Sequence, residues 1–167
     1  MTVRPIRLFG DPVLRSAADP IRVIDASTEA LVADLIDTVR LPGRAGLAAP
    51  QIGVSLRAFS LNIDGEISYV LNPELIEVRG EAELVDEGCL SVPGLGYPRR
   101  RYPWARVVGT DLQGHPVEFA GDGLLAQALQ HESDHLDGRL YIEGLEPEVK
   151  RAAMRAVRES EWFAARV

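Results

Sequence analysis

The hydrophobic positions of this chain follow two different periods. Leu31, Val32, Leu35, Ile36 and Val39 recur at helical spacing behind the N-cap candidates Asp25 and Ser27, which predicts an amphipathic helix over residues 27–40, ended by Leu41-Pro42-Gly43. From residue 56 to 84 the period shortens to two. Residues 56–63 alternate apolar with polar, Asp64-Gly65 signals a hairpin turn, and residues 67–71 and 75–78 read as short strands broken at Asn72-Pro73. Residues 104–111 and 115–119 read as two more strands around a turn at 112–114. Helical spacing returns with Leu124, Leu125, Ala128 and Leu129, a stripe with Asp122 as its N-cap candidate and Gly138 as its stop. Residues 140–142 read as a short strand. Pro147 opens a last helix through Phe163, with Val149, Ala153, Met154, Val157 and Trp162 on its inner face. The expected fold class is α+β: antiparallel or mixed sheets packed around a central helix, with an N-terminal and a C-terminal helix. No repeat or linker interrupts the chain, so residues 1–167 are expected to form a single domain.

Three stretches escape both periods. Residues 44–53 are small, apolar and Gly-bounded, which suits either a tight core loop or a backbone that a ligand approaches closely. Residues 86–94 are irregular and hold the one cysteine, Cys89. The basic run Arg99–Arg101 reads as a solvated turn. Composition narrows the function classes. A chain of 167 residues can bury a core without staples, and its net charge of −7 argues against specific nucleic-acid binding or an anionic membrane as partner. No apolar run has the length of a membrane span, the start lacks the apolar core of a secretory signal, and a lone cysteine suits a reducing compartment. The expectation is a cytoplasmic monomer.

The chemistry concentrates in Gln130-His-Glu-Ser-Asp-His135, which uses two of the three histidines. On a helix, positions four apart share a face, so His131 and His135 would aim their imidazoles at one point. Glu132 lies where its carboxylate reaches a water at that point without becoming a ligand. Two histidines need a third donor. Cys89 is either a small buried hydrophobe or, as a thiolate, that third ligand, leaving a fourth position open. A cysteine nucleophile with a histidine base would need neither Glu132 nor the second histidine. His115 sits in a hairpin without a partner at ligand spacing and reads as a surface residue. Two other readings compete: a zincin-like metallopeptidase taking its third ligand from Glu143 or Glu146, and a metal-binding paralogue without turnover.

Three segments, Gly46-Leu-Ala-Ala-Pro-Gln51, Glu87-Gly-Cys-Leu-Ser91 and Gln130-His-Glu-Ser-Asp-His-Leu136, in this order and at these separations, resemble the signature motifs of the peptide deformylases. The resemblance runs over nearly the whole chain. It implies a hydrolase that removes the formyl group from N-formylmethionine of nascent bacterial polypeptides and releases formate. By that resemblance Cys89, His131 and His135 hold one divalent metal, ferrous iron in the cell, for which zinc, nickel or cobalt substitutes. Glu132 is the general base and acid for a hydroxide generated at the metal. The Gln51 side chain and the Leu90 backbone N–H stabilise the oxyanion. Gly46 and Ala45 hold the substrate backbone, and Leu124, Gln127 and Ala128 help line the methionine pocket. Transient association with the ribosome is implied as well.

Two departures from the family pattern stand out. Arg44 replaces the first glycine of Gly-x-Gly-Leu-Ala-Ala, where positive φ is costly for arginine, so a different local loop and a narrower groove are expected. The arginine that commonly follows Val-Pro is absent after Pro93, and counting from both flanks makes Arg101 the expected partner of Glu87.

Overall fold

The computed structural model describes residues 2–165. Asp25 accepts hydrogen bonds from the backbone N–H groups of Ser27 and Thr28 (2.9 and 3.2 Å), and the Thr28 hydroxyl reaches back to the Asp25 N–H. This capping box starts helix α1, Ala26–Val39. Seven strands follow along the chain: β1 (Gly46–Ala48), β2 (Ala58–Ile63), β3 (Glu66–Arg79), β4 (Glu83–Cys89), β5 (Val92–Arg101), β6 (Trp104–Thr110) and β7 (Pro116–Asp122). Five of them form an antiparallel sheet in the order β1-β2-β3-β6-β7, and β4 pairs only with β5.

Because strand side chains alternate between faces, the sheet buries both. Leu47, Ala58 and Leu71 join Leu31, Leu35 and Val39 of α1 on one side. Ala48, Phe59, Leu61, Val70, Ala105 and Val107 pack on the other against helix α2, Gly123–Leu136, through Ala126, Ala128, Leu129 and Leu136. A third cluster lies under the β4–β5 hairpin: Val92, Tyr141, Ile142 and Leu145 meet Ala153 and Val157 of helix α3, Pro147–Glu159.

Several sequence expectations need correction. The loop over residues 44–53 contains strand β1 and a 3-10 turn, Ala49–Ile52. The two strands expected on either side of Asn72-Pro73 are one, β3. Asn72 takes φ 47°, and register shifts against β6 follow it, so the pair bends the strand without ending it. The Asn72 side chain also bonds both backbone groups of Ile21, at 2.8 and 2.9 Å, which holds the bend. Residues 86–94 form the end of the β4–β5 hairpin around the turn at 90–91, and Arg99–Arg101 lie in β5, where Arg101 is buried, Arg99 half-buried and Arg100 alone of the three exposed. The residues at 140–142 form no strand; Tyr141–Gly144 is a 3-10 turn whose Tyr141 and Ile142 are buried in the third cluster. The last helix ends at Glu159, because Ser160 is extended (ψ 141°), and a short helix α4, Glu161–Ala164, follows. Leu124 leaves the buried stripe of α2 and is exposed, and Asp122, though at the cap position, makes no capping bond to a helix that opens with Gly123 at φ 57°. Among the described residues no helix is long and apolar enough to cross a membrane.

Candidate metal centre and substrate cleft

One turn of α2 separates His131 from His135, and their Nε2 atoms face each other at 3.2 Å. The Cys89 sulfur lies 3.3 Å from His135 Nε2, and the three donor atoms all fall within 4.8 Å of one another. Cys89 ends β4 immediately before the two-residue turn Leu90-Ser91, after which Val92 pairs back with it. The hairpin end thus delivers the sulfur to the helix face. One soft sulfur and two imidazoles, closely spaced and half-enclosed, are a donor set that fits a transition-metal dication with a position left for another ligand. Glu143 and Glu146 stay outside this cluster, and Glu146 pairs with Arg100 at 3.2 Å. His115 is exposed, beside Asp111.

Behind the donors runs a buried chain of charge. Arg101 forks onto Glu87 with Nε–Oε2 2.8 Å and Nη2–Oε1 2.6 Å, and the His131 Nδ1–H donates to Glu87 Oε1 at 2.7 Å. In the neutral ring that bond puts the proton on Nδ1 and leaves the Nε2 lone pair of His131 for the cluster. Asp134 accepts from Arg101 (2.8 Å) and Arg99 (3.3 Å), and Arg99 also donates to the Tyr141 carbonyl at 2.9 Å. Burial pushes the Glu87 carboxyl up, but its bonds to Arg101 and His131 more than offset that and hold it at about 2. Burial presses His131 down as well, yet the adjacent Cys89 sulfur and Glu87 carboxylate lift it well above the usual imidazole value, whereas burial and the nearby His131 charge leave His135 well below it. Burial alone dominates Glu132, whose carboxyl is raised to about 7.

These groups open onto a cavity of about 430 Å³ lined by Gly43 to Gly46, Gln51, Asp86 to Leu90, Leu124, Gln127, Ala128, His131 and Glu132 among others. Every residue expected from the sequence to contact substrate is on this wall; Arg101 and His135 stand behind it. Gln51 is fixed by its own carbonyl oxygen, which accepts the Ala48 N–H at 2.9 Å, so its amide nitrogen points to Ser91 Oγ (3.3 Å) and Cys89 Sγ (3.6 Å). Gly46 has no room for a side chain: a Cβ there would overlap the Glu132 carboxylate, with its Cγ and Cδ at 2.9 Å. Gln127 donates to the Asp86 carbonyl at 2.8 Å. Arg44 does not carry the positive φ expected of the motif's first glycine. Gly43 does, at 79°, so the arginine costs the loop no strain. Sequence reasoning missed Ser91 and Asp134, which touch Gln51 and the two arginines respectively. The polar Asp inside His-Glu-x-x-His was the available signal for Asp134.

Comparison with known proteins identifies the family. Residues 3–151 match the model of the polypeptide deformylase family. A peptide deformylase of Acidothermus cellulolyticus is 51% identical over 97% of this chain and 89% of its own length. The crystal structure of a peptide deformylase from Legionella pneumophila is similar at TM-score 0.90 and 38% identity, covering 99% of both chains. That of Ehrlichia chaffeensis in complex with actinonin is similar at TM-score 0.87 and 30% identity, over 96% of this chain and 99% of that one. With the family model matched over most of its length and relatives of this identity and coverage, the chain belongs to the peptide deformylase family of metal-dependent hydrolases.

Proposed function

We propose that this chain, acting as one catalytic domain, hydrolyses the N-formyl group from the formylmethionine that begins new bacterial polypeptides and releases formate. The observation that carries the reading is the meeting of Cys89, His131 and His135 beside a buried, otherwise unpaired Glu132 carboxylate oxygen, with Cys89, His131 and Glu132 on one open cavity and His135 just behind its wall. Cys89, His131 and His135 would hold a single divalent cation, ferrous iron in the cell with zinc, nickel or cobalt as substitutes. When bound it supplies Lewis acidity, lowering the pKa of water and polarising the formyl carbonyl.

The protein's part follows from its side chains. Glu132, raised toward neutrality by burial, is suited to take a proton from the attacking water and to return it to the leaving amine. The Gln51 amide, oriented by the Ala48 N–H, and the Leu90 N–H at the hairpin turn would donate to the oxygen that gains charge on the formyl carbon. Gly46, on the free edge of β1, and Ala45 just before it would hold an extended substrate that adds as a further strand. Leu124, Gln127 and Ala128 are the proposed wall of the methionine pocket, Gln127 making it partly polar. Glu87 and Arg101 act through His131, fixing its ring. The enzyme is proposed to work as a monomer in the cytoplasm, on chains at or leaving the ribosome. The decisive assay is formate release from formyl-Met-Ala-Ser by ferrous-loaded enzyme, with the unformylated peptide as control. Cleavage of the unformylated peptide bonds, or no formate, refutes the proposal. Glu132→Gln should retain the metal and lose turnover by about 100- to 10,000-fold.

A further inference from the structure

Arg44 stands in the wall of the same cavity as Cys89, His131 and Glu132, and among the described residues no carboxylate pairs with it. The other arginines near the site are spent: Arg101 on Glu87 and Asp134, Arg99 on Asp134 and Tyr141. Arg44 makes one bond, from Nη1 to the Thr38 carbonyl in the last turn of α1 (2.8 Å), leaving Nε and Nη2 without a described acceptor. A helix C-terminus attracts a cation, so this bond fixes the half-buried guanidinium rather than letting it swing into solvent. Of the acids on the cavity, Glu87 is neutralised by Arg101 and Glu132 belongs to the proposed chemistry. Asp86 is exposed on β4.

The strand geometry says where a substrate meets this charge. β1 pairs with β2 on one side only, so its other edge is open beside Glu132. Arg44 precedes Gly46, the first residue of that edge, by two residues, at most roughly 7 Å of chain at about 3.3 Å per residue. A peptide paired antiparallel to the edge, with its formyl carbon at the donor cluster, runs back past Ala45 toward Arg44.

We propose that Arg44 is a specificity determinant that selects a carboxylate side chain in one of the two residues following formylmethionine. The inference rests on the deformylase reading above. The test compares C-terminally amidated formyl-Met-Asp-Ala with formyl-Met-Asn-Ala, and formyl-Met-Ala-Asp with formyl-Met-Ala-Asn, on the metal-loaded enzyme. At one of the two positions Asp should exceed Asn in kcat/KM by about three- to five-fold at low salt, the size of a partly exposed ion pair. The gain should lie in KM, shrink with added salt, and vanish in Arg44→Gln. The same order is expected for equilibrium binding of the deformylated products. Equal values for Asp and Asn at both positions, or a preference that survives in Arg44→Gln, overturn the role of Arg44 while formate release leaves the deformylase reading standing. No formate from any of the four peptides overturns both.

Discussion

Glu87→Gln tests whether the buried charge behind the donors holds the molecule together. The Glu87 side chain is 2% exposed and that of Arg101 is 6% exposed, so solvent does little to replace what is lost. Holding Glu87 at about 2 against an ordinary 4.5 corresponds to roughly 3 kcal/mol, at about 1.4 kcal/mol per pKa unit. Removal of one partner of a buried ion pair independently suggests about 3–5 kcal/mol. Glutamine can still accept one Arg101 or His131 bond, which puts the expected loss near the lower figure. The sign with pH follows from a depressed folded value. The stabilisation is present in full above the unfolded value of 4.5 and is lost as pH falls toward 2. The difference between wild type and variant should therefore shrink from roughly 3 kcal/mol at pH 7 to about 1 kcal/mol at pH 3. Urea unfolding followed by circular dichroism, with chelator present so that metal affinity does not contribute, reads both values. A loss under about 1 kcal/mol at pH 7, or one of equal size at pH 3, would refute the reasoning.

Three other outcomes are expected. Gly46→Ala forces a methyl group onto the Glu132 carboxylate, and displacement of a reacting group by about an ångström should cost on the order of a hundredfold in kcat at unchanged metal content. Normal turnover would mean that the carboxylate moves freely. Gln51→Leu removes a donor that the Ala48 N–H holds in place, so kcat should fall about a hundred- to a thousandfold with little change in KM; a rise in KM alone would mark Gln51 as a binding group. Carboxyl carbon resonances should show Glu132 titrating near 7 in chelated protein, since burial raises it, and lower after metal loading, since a nearby cation favours the anion. An unchanged titration would set the ion apart from Glu132.

The helices were readable because their apolar spacing is uninterrupted: Leu31, Leu35 and Val39 in α1, Ala128 and Leu129 in α2, with His131 and His135 one turn apart by arithmetic. The β4–β5 hairpin was not readable, because two of its buried positions are Glu87 and Arg101, charges that a hydrophobic pattern counts as solvent-facing. Their burial makes sense only once each has the other. Strand β1 is three residues long and exists through its pairing with Phe59, Ser60 and Leu61, beyond the reach of any local period. The run at 140–142 is apolar because all three residues are buried, Tyr141 and Ile142 in the cluster under the hairpin, and three buried residues in succession look alike in a strand and at the start of a 3-10 turn. Ser91 came from neither spacing nor type; it matters because the hairpin turn carries it to the Gln51 amide.

Among the described residues the β4–β5 hairpin has no third strand beside it, and its tip and α2 contribute separate donors to one cluster. Any cation gripped there ties the hairpin to the helix like a rivet through two plates. Folding and loading are then thermodynamically linked, since an ion that prefers the closed arrangement adds its binding energy to it. A cell that runs short of the ion would hold enzyme that is not merely idle but less stable, its hairpin kept on the helix by the Glu87–His131 and Arg101–Asp134 bonds without the added clamp.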